Sequence, residues 1–169
     1  MIPADKIETP ASLAAFTERA LVLPELHGQD QATVLQELSQ ALQRTARVPD
    51  LLPFYHAVLN REFLISTALD YGIALPHARM AGLKELCFAF GRSRLPIPWG
   101  GKEAMPVRLI FLLAVPSTEA ADYLLLMAGL SRLGKQTVTL EKLLAAKDAN
   151  EILALLSQVK LRQCRPITD

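Results

Sequence analysis

The stretch "MPVRLIFLLAVP", residues 105–116, does most to decide the fold. It is apolar almost throughout, which is typical of a strand that is buried on both faces of a sheet. It is too short to cross a bilayer, and it carries Arg108. We therefore expect a central strand covered on each side by other elements, and no insertion into a membrane.

The stretches around this strand supply those elements. Residues 72–77 and 85–93 also have strand-like patterns, and residues 21–27 predict a weak edge strand because Pro24 interrupts them. Helical patterns are found at residues 9–20, 30–46, 49–63, 117–134, 138–148 and 149–160. Helices on either side of a few strands predict an α/β fold, with a central sheet flanked by helices on both faces.

The length and the turn signals suggest how the chain is divided. Its 169 residues suit a single domain, residues 1–169, with short tails at about 1–8 and 160–169. Residues 94–105, "RLPIPWGGKEAM", are so rich in Pro and Gly that we expect an exposed loop. Side chains suited to capping helices stand at four predicted helix starts: Thr9, Asp30, Asp50 and Ser117 or Thr118.

The charge and the cysteines narrow the class of function and the compartment. The chain has 18 basic and 17 acidic residues and so lacks the surplus of basic residues that is typical of nucleic-acid-binding proteins. We therefore expect no nucleic-acid partner and no binding to an anionic membrane. Cys87 and Cys164 have no CxxC spacing, so we expect neither a disulfide nor a zinc site. The N-terminus has no signal-peptide pattern, and a cytoplasmic location fits best.

Of the three histidines, His77 is the candidate for chemistry. His27, at a turn, and His56, in a helix, are explained by ordinary surface or packing roles. His77 follows Pro76 at the end of the strand-like run "GIALPH", and proline makes a stiff stem for the imidazole. Strand ends are where α/β sheets place ligands. This position suits a general base, a metal ligand or a phosphoryl carrier.

Motif searches leave the last of these open and weaken the others. No second histidine or cysteine stands at a metal-ligand spacing from His77. The chain also lacks a Gly-x-Ser-x-Gly elbow and a Walker-type loop, which disfavours acyl transfer and nucleotide hydrolysis. We expect no cofactor and no metal.

A set of phosphate-binding side chains precedes His77. Arg61 ends the second long helix, and Ser66 and Thr67 follow it in "NREFLISTALDYG". A guanidinium and two hydroxyls are donors suited to a dianionic phosphoryl group. Taken alone, Arg61 is better explained as a cation at a helix C-terminus and the hydroxyls as turn residues, but together with His77 the group has a joint purpose.

The chain resembles enzyme IIA domains of the mannitol/fructose class of the bacterial phosphotransferase system, a class that includes the nitrogen-regulatory type. The resemblance is carried by the spacing of Arg61-Glu62, Ser66-Thr67 and "GIALPHA". The resemblance covers nearly the whole chain. It implies a mixed sheet and a phosphotransferase in which His77 takes a phosphoryl group from the histidine-containing phosphocarrier protein. It also implies that Arg61, Ser66 and Thr67 contact phosphate. The onward partner would be an enzyme IIB or a regulated target protein.

The sequence departs from the pattern of this class at two places. Ala68, Leu69 and Asp70 stand where the family usually has glycines around a hydrophobic residue, and Tyr123 aligns with the family's second histidine. A tyrosine donates a hydrogen bond but carries no positive charge. The departures favour a regulatory role, with a sugar-specific carrier or a non-catalytic regulatory binding module of the same fold as alternatives.

Overall fold

The computed structural model describes residues 12–101 and 103–161. In this part of the chain there are six strands: β1 (Val22–Leu23), β2 (Ala68–Leu69), β3 (Ile73–Ala74), β4 (His77–Met80), β5 (Cys87–Trp99) and β6 (Met105–Pro116). The α-helices are α1 (Gln31–Arg44), α2 (Leu51–Leu64), α3 (Ala121–Leu133), α4 (Thr137–Ala145) and α5 (Ala149–Ser157). None of the described helices is long and apolar enough to cross a membrane.

The six strands form one mixed sheet around β6, in the order β1-β5-β6-β3-β2, with β4 also paired to β6. β5 runs antiparallel to β6, whereas β3 and β4 run parallel to it. The predicted central strand and the predicted α/β class are therefore both confirmed. The weak edge strand at residues 21–27 is present as the two residues of β1.

Successive residues of β6 enter two separate cores. Ile110 and Leu112 pack in the core that contains the buried residues of α1 and α2, whereas Phe111 and Leu113 pack in the core that contains those of α3, α4 and α5. All four side chains are fully buried, as the period of two along a strand requires when both faces of a sheet are covered.

The expected loop at residues 94–105 is wrong for its first half. Residues 94–99 continue β5, and Ile97 and Trp99 are buried while Pro96 and Pro98 are exposed. The prolines are tolerated because β1 pairs with β5 only at Phe90 and Gly91, so this part of β5 lacks a neighbour on that side.

Helix starts were only partly predicted. Asp30 caps α1, where its side chain accepts a hydrogen bond from the Thr33 amide, but Asp50 makes no capping hydrogen bond at α2. α3 begins at Ala121 and not at residue 117, and the Glu119 side chain accepts from the Asp122 amide in place of a Ser or Thr cap. The expected first helix is two short 3-10 helices, Leu13–Phe16 and Arg19–Leu21. Thr9, Cys164 and residues 1–8 lie outside the described residues.

Candidate functional site

His77 opens β4 and does not end a strand, which corrects the expectation from the sequence. The run 73–80 is divided into β3 and β4 because Pro76 has no N–H to donate to a ladder. The carbonyl of Pro76 still accepts a hydrogen bond of 2.9 Å from the Leu113 amide. His77 then pairs with Leu113 in the parallel register, so the central strand fixes the position of its main chain.

The imidazole of His77 is half-buried, and one of its nitrogens is engaged by the main chain. Nδ1 lies 3.0 Å from the carbonyl oxygen of Leu75. Since a carbonyl oxygen only accepts hydrogen bonds, Nδ1 carries the proton and donates it. In the neutral form of the imidazole this hydrogen bond leaves the lone pair on Nε2, which is then the nucleophilic nitrogen.

A cavity of about 280 Å³ brings His77 together with two of the other predicted residues. Its described lining consists of Ala57, Arg61, His77, Ala78, Arg79 and Tyr123. α2 contributes Arg61, β4 contributes His77, and α3 contributes Tyr123, whose ring centroid lies 6.0 Å from that of the imidazole. The structure thus places two guanidinium groups and a tyrosine ring around the histidine.

Arg61 both bonds to the main chain at the end of α2 and lines the cavity around His77. It lies in the last turn of α2, and its Nη1 donates a hydrogen bond of 2.8 Å to the carbonyl of Ile65, just beyond the helix. That bond satisfies a carbonyl at the helix C-terminus and uses one of the five guanidinium N–H groups. The other N–H groups of Arg61, which also lines the cavity, make no hydrogen bond with the described residues.

Ser66 and Thr67 do not line this cavity. The Thr67 hydroxyl and the Thr67 amide both donate to the buried carboxylate of Glu62, and the Ser66 hydroxyl accepts from the Ala68 amide. Ser66 instead lines a larger cavity of about 890 Å³, together with Phe63 and Gly100. Asp70 is exposed and is likewise not part of the lining around His77.

Thr67 is connected to His77 through the main chain. Its carbonyl accepts a hydrogen bond of 3.2 Å from the Leu75 amide, and the Leu75 carbonyl in turn accepts from His77 Nδ1. Glu62 therefore holds Thr67, which holds Leu75, which orients the imidazole. The Glu62 side chain, which is only 7% exposed, is thus linked to the imidazole through Thr67 and Leu75.

Arg79 was missed by the sequence analysis. It stands two residues after His77 on the same strand, and residues at that spacing share a face of a sheet. The strand period would have found it, had β4 been predicted to begin at His77 instead of ending there. Ala57, one helical turn before Arg61, was missed as well, although i, i+4 spacing puts the two on one face of α2.

The fold agrees with the comparisons with known proteins. The family model for the EIIA 2 component of the phosphoenolpyruvate-dependent sugar phosphotransferase system matches residues 15–159. The chain belongs to this family of phosphotransferase-system components.

Particular relatives include both regulatory and sugar-specific members. A nitrogen regulatory protein of Bradyrhizobium diazoefficiens is 33% identical over 137 residues, which is 80% of this chain and 88% of that protein. A fructose-specific EIIA component of Haloferax volcanii is 31% identical over 113 residues, which is 67% of this chain and 73% of that protein. The crystal structure of the nitrogen regulatory protein IIA-Ntr of Neisseria meningitidis superimposes with a TM-score of 0.72 at 28% identity, covering 85% of this chain and 98% of that one.

Proposed function

We propose that this protein is a phosphoryl carrier in which Nε2 of His77 accepts a phosphoryl group from the histidine-containing phosphocarrier protein. The observation that carries the proposal is the hydrogen bond from Nδ1 to the Leu75 carbonyl, in a cavity that also contains Arg61. It leaves Nε2 as the nitrogen with a free lone pair, which is what an in-line acceptor needs.

The transfer step balances without a metal or a nucleotide. The N–P bond of the donor phosphohistidine breaks, its electron pair stays on the donor imidazole, and the Nε2 lone pair of His77 forms the new N–P bond. The proton on His77 Nδ1 stays in place, where the Leu75 carbonyl stabilises the positive charge that the ring gains. Catalysis then depends on positioning and on cations around the phosphoryl oxygens.

Arg61 is the predicted stabiliser of the phosphoryl oxygens, acting through the N–H groups that the Ile65 carbonyl leaves free. Phosphate contacts by Ser66 and Thr67 remain predictions from the family resemblance. In the present arrangement the Thr67 hydroxyl proton is already used by Glu62. Its main-chain link to Leu75 is a different way for Thr67 to serve the same reaction.

A regulatory, nitrogen-type role is the form of this function that we propose. The 33% identical relative and the structure that superimposes at 28% identity are both nitrogen regulatory proteins. Tyr123 supports this choice, because a site without a second histidine lacks one group for rapid onward transfer. In this role the phosphorylated and free forms of His77 would be distinguished by a target protein.

The experiment is to incubate the protein with phosphoenolpyruvate, enzyme I and the phosphocarrier protein, and to isolate the adduct. We expect an acid-labile phosphoryl group whose nitrogen and phosphorus resonances identify Nε2 as the site. His77→Ala should abolish it, whereas His56→Ala, which removes an exposed histidine of α2, should not. An adduct that persists in His77→Ala, or none with the cognate donor, contradicts the proposal and leaves a non-catalytic binding module.

Sugar-specific transfer is the second candidate, favoured by the 31% identical fructose-specific component. It predicts that the phosphorylated protein passes its phosphoryl group to an enzyme IIB. Phosphoryl transfer to a panel of purified enzyme IIB proteins distinguishes the two roles. Rapid transfer to one of them would favour the sugar-specific role over the regulatory one.

A further inference from the structure

We propose that Arg79 is a second phosphate-binding cation at His77, and that the ring of Tyr123 positions it. The inference rests on the proposed function, since it concerns the same phosphoryl group. It assigns a source for the positive charge that Tyr123, in the position of the family's second histidine, does not itself supply.

The first step is the placement of Arg79. His77 and Arg79 lie on one face of β4, and both line the cavity to which Arg61 contributes from α2. A phosphoryl group on Nε2 of His77 therefore has a guanidinium from its own strand and another from a helix. Two cations from separate elements can contact different phosphoryl oxygens.

The second step is the way Arg79 is held. Its Nη1 donates a hydrogen bond of 2.7 Å to the carbonyl of Glu119, in the segment before α3. Its central carbon lies 5.0 Å from the centroid of the Tyr123 ring, within the range of a cation–π contact. The Glu119 carbonyl holds one nitrogen of the guanidinium, and the Tyr123 ring lies against one of its faces. These two contacts fix the plane of the group and therefore the directions of its remaining N–H groups.

The third step is that Arg79 forms no ion pair with a carboxylate of the residues that the structure describes. Within residues 12–101 and 103–161, the ion pairs join Arg47 to Glu18 and to Glu85. Arg61 and Arg79 make their side-chain hydrogen bonds to main-chain carbonyls instead. Two arginines without a carboxylate partner beside one histidine produce a local field that favours a dianion.

The fourth step concerns which part of Tyr123 acts. Its ring contacts both the imidazole and the guanidinium, at 6.0 Å between ring centroids and at 5.0 Å respectively. Its hydroxyl makes no hydrogen bond with any of the described residues. The ring face, which phenylalanine also has, is therefore the part that supports Arg79.

During transfer, Arg79 changes no bond. The N–P bond to the donor breaks and the bond to His77 Nε2 forms, while the three oxygens of the moving phosphoryl group stay between the guanidinium groups of Arg61 and Arg79. The charge spread over those oxygens in the transition state is what the second cation stabilises.

The test begins with Arg79→Ala, measured as the rate of His77 phosphorylation at saturating phosphocarrier protein. We expect a fall of about 10- to 100-fold, at or below the effect of removing one oxyanion donor because Arg79 is exposed to solvent. Arg94→Ala is the matched control, since it removes an exposed cation of β5 in a different cavity and changes the net charge equally. A fall of the same size in both variants would show a long-range charge effect and overturn the inference.

Tyr123 is tested by rescue and by coupling to Arg79. Tyr123→Phe should keep the rate within about twofold, whereas Tyr123→Leu should lower it by about tenfold, the scale of one stacked cation. Tyr123→Leu should add little once Arg79→Ala is present, because its effect passes through Arg79. Fully additive losses, or a phenylalanine variant as slow as the leucine one, would show that Tyr123 does not position Arg79.

Phosphorus NMR of the adduct gives a readout that docking of the donor does not affect. A nearby cation favours the dianionic phosphoryl group and so lowers the pKa of its second ionisation. The phosphorus resonance of the Arg79→Ala adduct should therefore titrate at higher pH than that of the parent protein. If the parent is not phosphorylated at all, the proposed function fails. If the parent is phosphorylated and Arg79→Ala matches it in rate and titration, only this inference fails.

Discussion

The indole Nε1 of Trp99 donates a hydrogen bond of 3.2 Å to Oε2 of Glu62, which joins the end of β5 to the last turn of α2. Both side chains are buried, and the same carboxylate also accepts from Gln31 and from Thr67. A buried carboxylate is tolerated here because several donors share it. The stretch before the turn at Ser66 is thereby connected to the sheet.

Removing this carboxylate should destabilise the fold. Glu62→Ala leaves the buried Trp99 donor and the half-buried Thr67 donors without an acceptor, so we expect the free energy of unfolding to fall by about 3 kcal/mol. Glu62→Gln keeps one acceptor oxygen and should lose about 1–2 kcal/mol. Urea unfolding measures both values. Glu141→Ala, an exposed carboxylate of α4, is the control and should stay within about 0.5 kcal/mol. A Glu62→Ala variant as stable as that control would show that the network contributes nothing.

Arg61 should matter more for the reaction than for stability. Arg61→Ala is expected to slow phosphorylation of His77 by about 100-fold, since it removes a charged donor from the cavity. The lost bond to Ile65 at the helix C-terminus should cost only about 0.3–1 kcal/mol. Arg44→Ala makes the same change in the last turn of α1, away from the cavity, and should leave the rate unchanged. An unstable Arg61→Ala variant whose folded fraction reacts normally would give Arg61 a structural role alone.

Cys87 should make the stability of the fold fall at high pH. Burial raises the pKa of its thiol to about 11 from an ordinary value of 9.0, against the opposing effect of the Arg47 cation. Between those values the unfolded chain loses the proton and the folded chain keeps it, so the folded state is penalised as pH rises. The two-unit shift corresponds to about 2–3 kcal/mol.

The measurement compares Cys164→Ser with the double variant Cys87→Ala/Cys164→Ser by urea unfolding from pH 8 to pH 11. The difference in stability between them should be constant up to about pH 9 and should then shrink as the retained thiol loses its advantage. Parallel curves over the whole range would show that the thiol ionises equally in both states.

The elements with a strong hydrophobic period were predictable, and those decided by a single backbone group were not. β6, α1 and α2 could be predicted because their apolar residues recur at the spacing of a buried strand or an amphipathic helix. Residues 94–99 were wrongly predicted as a loop because their proline content was given more weight than their alternating pattern. Ile97, Pro98 and Trp99 are buried, exposed and buried in turn, as in a strand. The prolines fit here because this part of β5 has no neighbouring strand on one side in the described part of the chain. That depends on the tertiary structure and cannot be read from composition.

The site was predicted by residue type more fully than by arrangement. His77, Arg61 and Tyr123 line one cavity. Thr67 does not line that cavity, and its hydroxyl donates to Glu62, whose carboxylate also accepts from Trp99, 37 residues further along the chain. Arg79 could be recognised only once His77 was known to begin a strand.

The segment that carries His77 is itself part of the core. Ile73, Ala74, Leu75, Pro76 and Ala78 are all buried, and only the histidine among residues 73–78 is half-buried. A mutation that displaces His77 by changing one of its buried neighbours also destabilises the fold. Selection for soluble, abundant protein therefore preserves the geometry of the site. Replacement of the imidazole itself meets no such barrier. Under the proposed function, a descendant could therefore lose the chemistry in one mutation and keep the complete fold, which would turn a phosphoryl carrier into a pure binding protein.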